Sequence, residues 1–152
     1  MGGKYIPFSF MISPSRWYNA NMKSFLSIKF WGDDRNREDV EAVIDAIDRA
    51  GFSVFCFRRD AEEWGKNQFK PEEMMRMTFK QIEQSDVVVA NVTHWPIGVG
   101  VECGYAYAKG IPIISICPAD AKMANTVGGL ARHIIKYKSY DDLGKQLTSI
   151  KY

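Results

Sequence analysis

Residues 86–116 contain two apolar runs joined by a glycine-containing segment, and this arrangement constrains the fold more than any other feature. The runs, residues 87–92 and 111–116, are rich in Val and Ile, as expected of central parallel strands that are covered on both faces. The segment between them, residues 93–110, contains Gly98 and Gly100 and is long enough for a crossover helix. The pattern predicts a βαβ unit with a ligand-binding loop after its first strand.

The rest of the chain alternates between strand-like and helix-like segments. Further strands are predicted at residues 25–31 and 52–57, a short last strand at the end of residues 130–137, and helices at residues 37–50, from Pro71 and after Ser139. Gly51 is expected to end the first helix, Pro71 to open the second and Ser139 to cap the last. The predicted fold is therefore α/β and doubly wound, a flavodoxin-like or Rossmann-like three-layer sandwich with a five-stranded parallel sheet.

Length and composition favour a single domain without a nucleic-acid surface. The chain has 152 residues and a net charge of +2, and its basic residues are scattered, which argues against a nucleic-acid partner. No apolar run is long enough to predict a membrane span, and Cys56, Cys103 and Cys117 are read as reduced core thiols of a cytoplasmic protein. We expect no metal and no cofactor. Residues 1–23 are predicted to be an N-terminal extension of a domain at residues 24–152.

Glu102 is the main candidate for chemistry. It is predicted to lie in the first turn of the helix that opens at Gly98 and Gly100, where free N–H groups and the helix dipole would keep its carboxylate ionised. An ionised carboxylate suits a nucleophile. An acidic residue that only complements the helix dipole is an equally good reading of the spacing.

A resemblance decides between these readings. Gly98, Glu102, Gly104 and Ala106, followed by Lys109-Gly110-Ile111-Pro112, resemble the core signature of the nucleoside 2-deoxyribosyltransferase superfamily, and the likeness extends over residues 25–150. It implies that Glu102 attacks C1′ of a nucleoside or nucleotide sugar. It also implies a homo-oligomer with shared sites, in which Asn125 and Thr126 reach a neighbouring subunit, although this pair could instead cap a helix.

Two loops resemble those of nucleoside 5′-monophosphate hydrolases within this superfamily. The loop at residues 32–39 is similar to that of the 2′-deoxynucleoside 5′-phosphate N-hydrolases, which implies that Gly32, Asp33 and Arg35 contact substrate. Arg35 would pair with a phosphate, or else with Asp33 or Asp34. The stretch at residues 58–65 is similar to that of the CMP and hydroxymethyl-CMP hydrolases, so Trp64 would cap a base or hold the loop to the core.

The sequence also departs from the superfamily pattern at two positions. Thr78 stands where an aspartate is usual, and Pro96 stands where transferases carry aspartate and monophosphate hydrolases carry serine. Thr78 can hydrogen-bond but cannot act as an acid or base near neutral pH, so the substrate contacts could be rebuilt through His94, Asp33 or Asp34. Gly98 and Gly100 are expected to line the site.

Three functional classes follow from these features. The preferred one is an N-glycosidase that cleaves the base–sugar bond of a nucleoside 5′-monophosphate or nucleoside, with Glu102 as nucleophile and water as acceptor. The alternatives are a base-exchanging 2-deoxyribosyltransferase and a non-catalytic nucleotide-binding or sensing domain, which Thr78 and Pro96 favour. A flavodoxin-like electron carrier or a response regulator is a weaker possibility.

Overall fold

Five parallel strands form the central sheet of the computed structural model, which describes residues 21–94 and 96–150. In the sheet they lie in the order β2-β1-β3-β4-β5, which is the flavodoxin-like order, and every neighbouring pair is parallel. The predicted α/β fold with a five-stranded parallel sheet is therefore confirmed. The strands are β1 (Met22–Ser27), β2 (Phe52–Phe55), β3 (Val87–Asn91), β4 (Ile113–Pro118) and β5 (His133–Tyr137).

Helices cover both faces of the sheet. One face packs against two helices that contact each other, α1 (Arg37–Arg49) and α6 (Tyr140–Ser149). The opposite face packs against α3 (Pro71–Glu83), α4 (Ile97–Ala108) and α5 (Asn125–Leu130), and α2 (Phe57–Asp60) is a short helix after β2. Alternate strand residues enter the two resulting cores, because successive side chains of a strand point to opposite faces. We call these the α1/α6 face and the α3/α4 face.

The predicted helix ends are confirmed. Pro71 is the first residue of α3, and Gly51 follows α1 with a φ of +94°, a left-handed conformation that glycine adopts without strain. Ser139 caps α6, because its side-chain oxygen accepts a hydrogen bond of 3.1 Å from the backbone N–H of Asp142. The three cysteines are buried and unpaired.

The last strand is confirmed, because residues 130–137 were predicted to end in a short strand and β5 occupies His133–Tyr137. Two other strand boundaries were predicted wrongly. Phe57 begins α2 rather than ending β2, because the Asp60 carboxylate accepts a 2.8 Å hydrogen bond from the backbone N–H of Cys56 and stabilises the helical turn. β1 spans residues 22–27 instead of 25–31, so the strand starts before residue 24, where the domain was expected to begin.

Residues 1–20 of the predicted N-terminal extension lie outside the described residues. Within the described ranges, the helices are too short or too polar to qualify as membrane spans.

Candidate active site

The strand order creates a crevice between the carboxyl ends of β1 and β3. The chain leaves β1 through α1 towards β2, and it leaves β3 through α4 towards β4 on the other side. The connections thus diverge between two neighbouring strands, which is the switch point where open α/β sheets bind their ligands. Residues 28–36 and 92–94 form the rim of this crevice.

Glu102 and Ser27 meet across this crevice. Ser27 is the last residue of β1 and is buried, and its side chain shares the α3/α4 face with that of Phe25 two residues earlier. The Ser27 hydroxyl donates a hydrogen bond to Oε2 of Glu102, which projects from α4. A side chain of the strand before the crevice therefore holds the carboxylate from the helix after it.

Burial sets the proton affinity of Glu102. Removal from water raises the pKa of this carboxyl to about 7, and the hydrogen bond from Ser27 opposes the rise because it stabilises the charged form. The prediction that the helix N-terminus keeps the carboxylate ionised was wrong. The helix starts at Ile97, so Glu102 is its sixth residue and lies in the second turn, beyond the free N–H groups.

Gly98 and Gly100 lie inside α4 rather than in a turn before it. Both are exposed, and a Cβ atom added at either position would meet nothing within 4 Å. The protein's own packing therefore does not require glycine at these positions. They leave an open surface beside Glu102 that a ligand or a second subunit could approach closely.

In the loop after β1, Arg35 and Asp33 form an ion pair. The Nε atom of Arg35 lies 2.9 and 3.0 Å from the two carboxylate oxygens of Asp33. Arg35 is therefore paired with Asp33, which was the predicted alternative to binding a phosphate. Both side chains are exposed. Gly32 is also exposed, and a Cβ atom there would meet nothing within 4 Å.

Arg58 connects this loop to the one after β2, a role that the sequence did not suggest. Its guanidinium is buried and donates to Asp34 at 2.8 Å and to Glu62 at 2.9 Å. Asp34 has a φ of +54°, and Glu63 and Trp64 also have positive φ values of +46° and +57°. Three residues in an unfavourable backbone conformation thus occur in the two loops that Arg58 joins.

The side chains of Trp64 and Thr78 pack into the protein and are not exposed to the crevice. The Trp64 ring packs against the core of the α1/α6 face and lies 4.4 Å from the Arg37 guanidinium, whereas Glu102 lies on the α3/α4 side. Holding the loop to the core is thus the reading that the contacts favour for Trp64. Thr78 is buried in α3, with 2% of its surface exposed.

Asn125 and Thr126 are the first two residues of α5 and are exposed beside an open groove that Lys136 also lines. The residue at the capping position is Ala124, and no side chain caps this helix, so the capping alternative is wrong. The pair is available to contact a ligand or another chain.

A cluster of cationic and aromatic side chains lies at the rim of the crevice. The Lys29 ammonium lies 3.7 Å from the centroid of the Trp31 ring, and the Arg35 guanidinium lies 4.9 Å from it. The exposed ring of His94 approaches Trp31 edge-on, at 6.4 Å between centroids. Lys29 and His94 also line a cavity of about 110 Å³ on the α1/α6 side.

The sequence did not point to Ser27, Lys29 or Trp31. A signal for Ser27 was present, because this polar residue lies on the same strand face as Phe25, a face that is buried. Lys29 and Trp31 were predicted to belong to the first strand, so neither was considered as a residue of the site.

With the fold and the glutamate in place, comparison with known proteins identifies the family. The sequence profile described as nucleoside 2-deoxyribosyltransferase matches residues 27–147, which is most of the chain and includes both Ser27 and Glu102. The chain belongs to the nucleoside 2-deoxyribosyltransferase family. The resemblance seen in the sequence is thereby confirmed.

Relatives of this nucleoside 2-deoxyribosyltransferase family member include enzymes of two kinds. A Thermofilum pendens protein, provisionally named 2′-deoxynucleoside 5′-phosphate N-hydrolase 1, is 23% identical over 85% of this chain and 92% of its own length. Among solved structures, a 2-deoxyribosyltransferase from Bacillus psychrosaccharolyticus superposes with a TM-score of 0.65 at 15% identity, covering 86% of this chain and 93% of its own. The Clostridium botulinum CMP N-glycosidase superposes with a TM-score of 0.60 at 18% identity, covering 82% of this chain and 97% of its own. The two structures support the fold.

Proposed function

We propose that this family member is an N-glycosidase that cleaves the base–sugar bond of a nucleoside 5′-monophosphate or nucleoside. The observation that carries the proposal is the Glu102 carboxylate, buried at the switch point and hydrogen-bonded by Ser27. Membership of the family and the name of the Thermofilum pendens relative support a nucleotide substrate and water as the acceptor.

In the first step, one oxygen of ionised Glu102 forms a bond to C1′ of the sugar while the bond from C1′ to the base nitrogen breaks. The transition state resembles an oxocarbenium ion, and a nearby carboxylate stabilises its positive charge. The electron pair of the broken bond stays on the base, which takes up a proton. Because the pKa of Glu102 is about 7, a large fraction of this residue is ionised at neutral pH.

In the second step, water attacks C1′ of the glycosyl ester and releases the sugar, or its 5′-phosphate, together with the free carboxylate of Glu102. We propose His94 as the residue that protonates the departing base. Of the groups that could replace the acid missing at Thr78, Asp33 and Asp34 are both held by arginines. Within the described residues, His94 lies exposed at the rim and is not held by an arginine, and an imidazole is a common general acid.

We further propose that Gly32, Asp33, Arg35, Gly98 and Gly100 surround the substrate and that two or more copies of the chain share sites. Helix α4 supports the sharing of sites between copies. It carries Glu102, and on the same helix the apolar residues Ile97 and Val101 are 88% and 47% exposed. Isolated exposed apolar side chains are common, but here they adjoin exposed glycines on one helix. α4 also packs beside α5, so a second copy docked on α4 would come near Asn125 and Thr126.

The test is base release from a panel of ribo- and deoxynucleosides and their 5′-monophosphates, followed by chromatography. Free base and sugar or sugar phosphate are expected from at least one member. In a parallel arm a second free base is added. Appearance of an exchanged nucleoside would favour the 2-deoxyribosyltransferase. Absence of any reaction across the panel would contradict the proposal and favour a nucleotide-binding domain, for which the departures at Thr78 and Pro96 already argue.

A further inference from the structure

Among the described residues, no neighbouring side chain forms an ion pair with Lys29. The other cation of the loop after β1, Arg35, contacts both carboxylate oxygens of Asp33. Within the described ranges, the contact shown for the Lys29 ammonium is with the Trp31 ring, and no carboxylate oxygen lies within 4 Å of it. A half-buried ammonium ion without a counter-charge attracts an anion, since the low dielectric of its surroundings strengthens the interaction.

The position of Lys29 relates this charge to the candidate active site. Lys29 follows Ser27 by two residues, and Ser27 binds Glu102. The side chain also borders a small cavity on the α1/α6 side, together with His94 of the opposite rim loop and with Asp39, whose carboxylate accepts a hydrogen bond from Tyr140. A long, flexible lysine side chain at this place can reach the space above the crevice, where part of a bound nucleotide would extend beyond its sugar.

We infer that Lys29 determines the preference of this site for 5′-phosphorylated substrates, by binding the phosphate group with its ammonium ion. The inference rests on the proposed function, because it concerns the same site. It also explains how phosphate binding can persist although Pro96 offers no side-chain donor.

The Trp31 ring holds the ammonium ion when no phosphate is bound. A cation–π contact at a partly exposed site is weaker than a charge-assisted bond from an ammonium ion to a phosphate. The lysine therefore exchanges the ring for the phosphate, and the ring face that it covered becomes accessible. An uncharged nucleoside provides no such partner, and Lys29 stays on the ring.

The deciding experiment is calorimetric titration of four deoxynucleoside 5′-monophosphates and the matching deoxynucleosides into protein carrying Glu102→Gln, which prevents consumption of the ligand. Addition of Lys29→Gln is expected to raise the Kd for the monophosphate that binds best by about tenfold or more, the range for loss of a bond to a charged group. The Kd for the nucleoside should change by less than about twofold. Lys29→Arg should retain most of the preference, since the positive charge is kept.

Lys23→Gln is the matched control, because it removes the same charge near the amino end of β1, whereas Lys29 lies beyond its carboxyl end. Equal weakening of both ligand classes by Lys29→Gln, no weakening, equal effects of both lysine substitutions, or failure of every monophosphate to bind would overturn the inference. These outcomes are independent of turnover. A wild-type protein that releases no base while Lys29 still discriminates phosphate would contradict the proposed function alone.

Tryptophan fluorescence provides a second readout. If Lys29 leaves the Trp31 ring on phosphate binding, a monophosphate should change the emission of the protein, and the change should be much smaller in Trp31→Phe. The nucleoside should leave the emission of Trp31 nearly unaltered. An emission change of the same size with both ligands would contradict the movement of Lys29.

Discussion

The hydroxyl of Ser27, at the end of β1, donates a hydrogen bond to Oε2 of Glu102 on α4. This bond spans the point where the chain connections diverge, so it forms only when the first strand and the fourth helix are both in place. Burial raises the pKa of Glu102 to about 7, and the Ser27 bond limits that rise. The two residues together set the pH range in which a reactive carboxylate exists.

Loss of the Ser27 hydroxyl should shift the pH dependence of the reaction. In Ser27→Ala the charged form of Glu102 loses its donor, so the pKa of Glu102 should rise further, by about one to two pH units for a charge-assisted hydrogen bond. The rising limb of kcat/KM against pH should move upward accordingly, with activity partly recovered at alkaline pH. A uniform loss of activity with an unshifted profile would contradict this role of Ser27.

The raised pKa of Glu102 should also appear in the stability of the protein. The unfolded carboxyl titrates near 4.5 and the folded one near 7, so the folded state retains a proton between these values that the unfolded state has released. The contribution of Glu102 to the unfolding free energy therefore falls as pH rises through this window. Above pH 7, Glu102→Gln should be more stable than wild type by on the order of 2–3 kcal/mol.

Urea denaturation of both proteins between pH 5 and 8 measures this difference. The stability advantage of Glu102→Gln should grow with pH and level off above about 7. A difference between the two proteins that is constant with pH would show that Glu102 has an ordinary pKa.

Arg58 should be important for stability because it neutralises two carboxylates. Arg58→Ala would leave Asp34 and Glu62 without their shared partner, and removal of one member of a buried ion pair costs about 3–5 kcal/mol. Asp34 and Glu62 retain some exposure, so we expect the low end of that range. Thermal denaturation against Arg76→Ala, an exposed arginine of α3, provides the comparison. Equal stability of the two variants would contradict the bridging role of Arg58.

Helix α4 should carry the contact between subunits. Val101→Glu places a charge among the exposed apolar side chains next to Glu102, and a charge in an apolar interface is unfavourable. Analytical ultracentrifugation should then show a smaller species than wild type at equal concentration. The matched control is Lys145→Glu on α6, on the other face of the sheet. A monomeric wild type, or an unchanged assembly in Val101→Glu, would contradict the proposed interface.

The sequence was sufficient for the architecture because the strong signals are local. Continuous apolar runs mark β3 and β4, and Pro71, Gly51 and Ser139 define helix ends through backbone chemistry that depends on immediate neighbours. Strand ends were less predictable. Phe-Trp after Lys29 has high strand propensity, yet the chain has already left the sheet there.

The chemistry of the site depended on contacts between distant residues and was predicted less well. Glu102 was found from its motif, but its protonation depends on burial and on Ser27, 75 residues away. Arg58 and Lys29 acquire their roles from what lies beside them: two carboxylates in the first case and, in the part of the chain that the structure describes, an aromatic ring in the second. No spacing rule in the sequence distinguishes these cations from Arg35.

The most direct test of the account is the rate of base release by wild type and by Glu102→Gln, measured with the best substrate of the panel. Glu83→Gln serves as control, since Glu83 is exposed and pairs with Lys109 away from the crevice. We predict that Glu102→Gln lowers kcat by at least about a thousandfold, as expected for loss of a nucleophile, and that Glu83→Gln stays within about threefold of wild type. Comparable rates for wild type and Glu102→Gln would contradict the central claim that Glu102 forms the bond to the sugar.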